Sequence, residues 1–261
     1  MTPTHDLAPI IVERQSGVSI VTINRPHAAN AINAEVARLL DAVVQSVESD
    51  EDVRAAILCG AGDKVFCAGA DLNEVARGEI PPLYSAGGFA GFTHAGRAKP
   101  WIAAVDGVAL AGGCELALAC DMIVASQRAT FGLPETSRGL IAAAGGLYRL
   151  PRALPTAVAL DLILSGARIS AERAFALGMV SRLAPAGEAR AHALSLAKEI
   201  AANAPLAVRE SLAIARLAHE RGDEDLFARS QSAQARLQDS DDFSEGAKAF
   251  LEKRPPRWSG R

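Results

Sequence analysis

Two glutamates stand twenty positions apart, each at the end of a stretch of small residues. Glu115 lies in Leu110-Ala111-Gly112-Gly113-Cys114-Glu115-Leu116-Ala117, and Glu135 closes Phe131-Gly132-Leu133-Pro134-Glu135. Upstream runs a third small-residue segment, Phe66-Cys67-Ala68-Gly69-Ala70-Asp71-Leu72. Two carboxyl groups that reach one site can take a proton and return it. Turns of small residues can aim backbone N–H groups at an oxygen that becomes negative. The combination predicts proton chemistry beside a carbonyl.

Taken singly, each segment has a plainer reading. Gly69 permits an unusual φ and lets a bulky ligand approach the backbone. The same segment also reads as a strand-to-helix turn, with Asp71 as the cap of a helix starting at Leu72 rather than an acid catalyst. Gly112, at a helix start, is the natural oxyanion donor, and close helix–strand packing with Glu115 exposed is the alternative. Glu135 is either paired, with Arg138 the nearest candidate, or raised in pKa by apolar surroundings, or a solvated loop acid.

These residues need a scaffold. The chain has 261 residues, 49% hydrophobic and 22% charged, enough for one large α/β domain or a domain with a helical appendage. Ile10–Glu13 and Val18–Ile23 read as a hairpin turning at Gly17. Asn33 is placed to cap a helix with Glu35 in its first turn and Val36, Leu39, Leu40, Val43 and Val47 on one face. Residues 55–59, 101–105 and 122–125 read as buried strands, and a short helix from Gly112-Gly113 carries Glu115. Strand, turn, helix, strand in succession predicts stacked or parallel α/β units. From Ala189 the chain turns helical, broken at Asn203-Ala204-Pro205, with further helices over about 223–238 and from near Phe243. This divides the chain into a core over 1–188 that carries the site and a helical region over 189–261 for assembly and active-site cover.

A formal net charge of −3 and the lack of a basic run argue against nucleic acid. The one locally basic segment, Lys253-Arg254-Pro255-Pro256-Arg257, reads as a solvated tail. Cys59, Cys67, Cys114 and Cys120 form no Cys-x-x-Cys pair, so neither a zinc site nor a redox motif is expected, and buried free thiols fit a reducing compartment. Met1–Pro9 has no signal-peptide pattern and no apolar run suffices to span a bilayer, so a cytoplasmic protein is expected. His5, His27, His94, His192 and His219 have no ligand spacing. Gly-x-Ser-x-Gly is absent, and Gly87-Gly88 near Tyr84 reads as a flexible loop.

Taken together and in order, the segments resemble the enoyl-CoA hydratase/isomerase (crotonase) superfamily, closest to enoyl-CoA hydratase. The matching residues are Asn24-Arg25-Pro26 with Asn30-Ala31-Ile32-Asn33, the Phe66–Leu72 run, Ile102–Gly107, Gly112–Ala117, Phe131–Glu135, and the terminal Glu245-Gly246 with Ala249–Arg254. The resemblance spans almost the whole chain. It implies a spiral of ββα units with a C-terminal helical region, assembled as trimers or hexamers. It also implies an acyl-CoA thioester substrate and no metal or redox cofactor, coenzyme A being part of the substrate. By position it implies Ala70 and Gly112 as oxyanion donors. Ala68, Ala70, Asp71, Leu72 and Lys253 are implied as coenzyme A contacts, and residues 73–99 as lining of the acyl pocket.

Both glutamates present implies reversible water addition to a 2-enoyl-CoA, with Glu115 activating water and Glu135 supplying the proton to Cα. The chain departs from the hydratase pattern at Ala142-Ala143-Ala144-Gly145-Gly146, where Ala143 replaces a glycine and adds a methyl near the expected water. Isomerisation, dehydration of a specialised hydroxyacyl-CoA and thioester hydrolysis are the alternatives on this scaffold. A non-catalytic acyl-CoA-binding oligomer is the alternative of another class.

Overall fold

The computed structural model describes residues 8–73 and 82–261. Most of Met1–Pro9 and part of the 73–99 segment therefore lie outside the described residues. Strands β1 (Ile10–Gln15) and β2 (Val18–Ile23) form the expected hairpin, with Ile10 opposite Ile23 and Gln15 opposite Val18. Its turn takes Ser16 and Gly17 to φ of 52° and 74°.

The chain then coils between two sheets. β3 (Ala55–Gly60), β7 (Trp101–Val105), β9 (Met122–Ser126) and β12 (Arg182–Ala184) extend the first sheet from β2, all in parallel. Each of the first three is followed by a three-residue strand in a second sheet: β4 (Val65–Cys67), β8 (Val108–Leu110) and β10 (Thr130–Gly132). These are parallel, and β11 (Arg168–Ser170) closes the edge antiparallel to β10. A separate hairpin pairs β5 (Tyr84–Ser85) with β6 (Gly88–Phe89). Gly87 thus lies in the turn of a hairpin and Gly88 opens its second strand, rather than the pair marking a flexible loop.

Strands of the first sheet are apolar at nearly every position because both faces are covered. Val21, Ile23, Ala56, Leu58, Ala103 and Val105 face the main core with Val36 and Leu40 of α1 (Ala34–Ser49). Their alternates Ile20, Ala55, Ile57, Ile102 and Val124 pack against Ala193, Leu196, Ala197 and Ala201 of a helix over Ala189–Ala201. The Asn33 side chain caps α1 by accepting the Val36 N–H at 2.9 Å.

Between these lie α2 (Gly112–Ala119), α3 (Gly146–Ala153), α4 (Thr156–Ser165) and α5 (Ala171–Ala176). The 189–201 helix is α6, followed by α7 (Pro205–Ala215), α8 (Asp223–Gln238) and α9 (Asp241–Glu252). Because α6 covers a face of the first sheet, the start of helical sequence at 189 marks a change of secondary structure within one packed body. No helix among the described residues is long and apolar enough to cross a membrane.

The basic segment near the end is not a free tail. Arg254 forks onto Glu245 at 2.6 and 2.8 Å, and the Arg257 N–H donates to the same carboxylate. Asp242, buried, accepts the N–H groups of Ser259 and Gly260, while the Trp258 indole donates to Ala202 at 2.8 Å. The charge pattern alone suggested solvation; Glu245 and Asp242, nine to eighteen residues before the groups they hold, supply the anions that dock this end of the chain.

Candidate active site

Because β4, β8 and β10 run parallel, their C-terminal ends share one edge of the second sheet. Each hands the chain to one of the three predicted segments: β4 to Ala68–Asp71, β8 to Ala111–Glu115, and β10 to Leu133–Glu135. The topology thus brings together what the sequence separates.

Ala70 forms a single bridge to Ile32: the Ile32 N–H donates to Gly69 at 2.8 Å and the Asp71 N–H to Ile32 at 2.9 Å. In an extended segment, alternate N–H groups point to opposite sides. The Ala70 N–H therefore faces away from Ile32, and Gly69, at φ 95°, turns the chain there. Gly112 opens α2, where an N–H has no partner within the helix. Among the described residues neither of these two N–H groups meets an acceptor.

Ala111 sits just before Gly112 at φ 50°, ψ −130°, a conformation that a side chain disfavours. Its N–H is fastened to the Gly132 carbonyl at 3.0 Å. A Cβ on Gly112 would stand 2.7 Å from the Phe89 ring, so β6 forms a wall directly over the donor.

Glu115 is buried, and its Oε1 accepts the Gly146 N–H at 2.9 Å. Burial pushes its pKa up to about 7; Glu135 adds to the rise, while the N–H groups of Gly146 and Ala144 and the Arg149 charge oppose it. Glu135 is also buried, in a 3-10 turn over Pro134–Arg138, and its Oε2 has no hydrogen-bond partner among the described residues. Burial raises its pKa too. Arg138 acts on it only through its field and donates instead to the Pro134 carbonyl at 3.4 Å. One carboxyl is thus held by a backbone donor and the other keeps an oxygen without a partner among the described residues, while burial raises the pKa of both.

Ala143 is exposed, and its N–H donates to the Ile141 carbonyl at 2.8 Å. Its methyl therefore does not crowd the carboxylate, which is held by the Gly146 N–H. Asp71 is buried against Arg25 at 3.0 Å and accepts the Asn73 N–H at 3.2 Å. Burial raises its pKa, and Arg25 and Asn73 more than reverse this, holding the carboxyl below its usual range. Asp71 therefore fastens the Ala68–Asp71 loop and begins the turn at Leu72, as the capping alternative expected. Ala68 and Ala70 are half-buried and Leu72 is 51% exposed, at the rim. Lys253 is the C-cap of α9 at φ 54°, and no hydrogen bond among the described residues ties it to the glutamates.

Phe89, Arg149 and the Gly146 N–H have no signal of their own in the sequence, and Arg25 stood out only within the Asn24-Arg25-Pro26 match, without its pairing to Asp71. The Gly145-Gly146 pair marked the turn without its role.

Two buried carboxyl groups beside two unengaged backbone donors, at one end of a coil of parallel strands, are an arrangement that can move protons next to an oxygen held by backbone N–H groups. Residues 13–261 match the family model described as enoyl-CoA hydratase/isomerase. The chain is 41% identical over 247 residues to carnitinyl-CoA dehydratase of Proteus mirabilis, covering 92% of this chain and 94% of that one. The crystal structure of an enoyl-CoA hydratase from Mycobacterium marinum superposes with a TM-score of 0.93 at 46% identity, covering 98% of this chain and all 100% of the other. That of a carnitinyl-CoA hydratase from Mycobacterium avium gives 0.77 at 41% identity, covering 98% and 100%. The chain belongs to the enoyl-CoA hydratase/isomerase, or crotonase, family.

Proposed function

We propose that this protein adds water reversibly to a 2-enoyl-CoA, giving the 3-hydroxyacyl-CoA. The observation that carries the reading is the pair of buried glutamates sharing one site with two unengaged backbone N–H groups: Glu115, held by the Gly146 N–H, and Glu135, whose Oε2 has no partner among the described residues. In the forward direction the Glu115 carboxylate takes a proton from water as its oxygen attacks Cβ. The electron pair of the double bond moves toward the thioester, and the negative oxygen rests on the Ala70 and Gly112 N–H groups. Protonated Glu135 then delivers its proton to Cα. Dehydration runs through the same steps reversed. A single oxyanion donor is typically worth roughly 3 kcal/mol of barrier.

Coenzyme A is placed along Ala68, Ala70 and Leu72, with Lys253 available to a phosphate from this or a neighbouring subunit of a trimer or hexamer. Asp71 serves that surface by holding the loop. A second reading, dehydration of a 3-hydroxyacyl-CoA with a cationic group beyond Cβ, is favoured by the relatives named for carnitinyl-CoA. Tyr84 supports it: the phenol is 59% exposed, lies in the field of both glutamates, and its ring stands 5.6 Å from that of Phe89. A ring face of this kind suits an ammonium group. Parallel assays of crotonyl-CoA and its γ-trimethylammonium analogue, with product identification, test both readings. Consumption of the analogue alone selects the second, and double-bond migration without water uptake contradicts both.

A further inference from the structure

We propose that Arg149 is a positioning residue that locks the turn holding the Glu115 carboxylate to the wall over the Gly112 N–H. The proposal rests on the reading of Glu115 as the base. Arg149 lies in the first turn of α3. Its Nη1 donates to the Ala144 carbonyl at 3.1 Å and its Nη2 to the Thr93 carbonyl. On one side, the Ala144–Gly146 turn holds Glu115 through the Gly146 N–H at 2.9 Å. On the other, the Thr93 hydroxyl accepts the Phe89 N–H at 3.0 Å, and the Phe89 ring covers Gly112. One guanidinium thereby joins the carboxylate half of the site to its oxyanion half.

The surroundings are shaped for this group. Gly145 stands at φ 120°, and a Cβ there would lie 1.9 Å from Arg149 Nη1, so the guanidinium fills the space of a side chain. Its carbon sits 5.1 Å from the centre of the Tyr148 ring, and Tyr148 in turn meets His94 Nε2 at 2.6 Å. No carboxylate among the described residues forms a salt bridge with Arg149. Burial lowers the Arg149 pKa, with Tyr148, Glu115 and Cys120 opposing and Arg152 adding to the fall. Arg97 lies within its field as well. Around Glu115 itself, Glu135 favours the protonated form and Arg149 the carboxylate, with Tyr84 and Cys114 as the neutral neighbours. A bridge that only fastened two loops would leave the Glu115 proton untouched; this one biases it toward the state a base needs. A lysine keeps the charge but lacks the planar fork that spans two carbonyls.

The test titrates Glu115 by NMR in protein carrying δ-13C glutamate, the signal being assigned with Glu115→Gln. It compares the wild-type chain, Arg149→Met and Arg149→Lys, with kcat and KM for crotonyl-CoA on the same samples. Arg149→Met is expected to move the Glu115 midpoint up and to lower kcat roughly tenfold with KM little changed. Arg149→Lys is expected to hold the midpoint near wild type while recovering only part of kcat. An unmoved midpoint in Arg149→Met overturns the proposal. If that variant does not fold, Arg149→Lys decides: a wild-type kcat overturns it, and a reduced kcat with an unmoved midpoint upholds it. The titration needs no substrate, so inactivity of the wild-type chain toward any thioester contradicts the hydratase reading and leaves the Arg149 result to be judged by itself.

Discussion

A methyl group on Gly69 would lie 2.9 Å from the amide nitrogen of Gly112. The loops that carry the two proposed oxyanion donors, Ala70 and Gly112, are therefore in direct contact, and the absence of side chains at Gly69 and Gly112 sets how near those loops come. Gly69 is doubly constrained, because φ 95° also disfavours a side chain.

Gly112→Ala keeps the N–H but drives a Cβ to 2.7 Å from the Phe89 ring. We expect kcat to fall about 100-fold, the scale of losing one donor. Phe89→Leu in the same chain should restore part of the loss, measured as a double-mutant cycle on crotonyl-CoA turnover. Strictly additive losses would show that the Phe89 wall does not govern the donor.

Ala111→Gly should stabilise the protein. Ala111 holds φ 50°, ψ −130°, strain on the order of 1–3 kcal/mol for a residue with a Cβ. Glycine relieves it and loses about 0.4–1 kcal/mol through the freer unfolded chain. A net gain of roughly 1 kcal/mol follows from these two figures, read as a higher midpoint in chemical denaturation. A lower midpoint would show that the conformation is held without strain.

Burial makes Glu115 harder to ionise in the fold, with its pKa moved from 4.5 to about 7. A raised folded pKa contributes stability that is complete below the unfolded value and lost as pH rises through the folded one. Glu115→Gln keeps an oxygen for the Gly146 N–H and removes the titration. Its stability relative to wild type should therefore improve between about pH 5 and about pH 8, by up to roughly 3 kcal/mol. Denaturant melts at the two pH values measure this, and an unchanging difference would place the Glu115 pKa near that of an ordinary glutamate. Turnover in the hydration direction should decline as pH falls through about 7, where Glu115 gains its proton.

Much of this scaffold could be read from sequence because its signals are local. Asn33 caps α1 as expected, and Val36, Leu40 and Val47 face the core, although Val44 is buried where Val43 only packs beside it. The break at Asn203-Ala204-Pro205 falls between α6 and α7. The second sheet was not legible, because β4, β8 and β10 have three residues each, too few for a periodicity. Also hidden were contacts between distant segments: Arg25 on Asp71, Phe89 on Gly112, Arg149 between Thr93 and Ala144. Both glutamates could be found by type and setting. Their burial and unequal donors came only with the coil that closes around them.

The most direct test of the two-carboxyl account is the loss of the conjugated-enone absorbance of crotonyl-CoA, with wild type, Glu115→Gln and Glu135→Gln side by side. The account predicts loss with wild type alone, both variants falling by several orders of magnitude while still folded. Undiminished loss in either variant would contradict it, as would wild-type inactivity toward both crotonyl-CoA and its γ-trimethylammonium analogue.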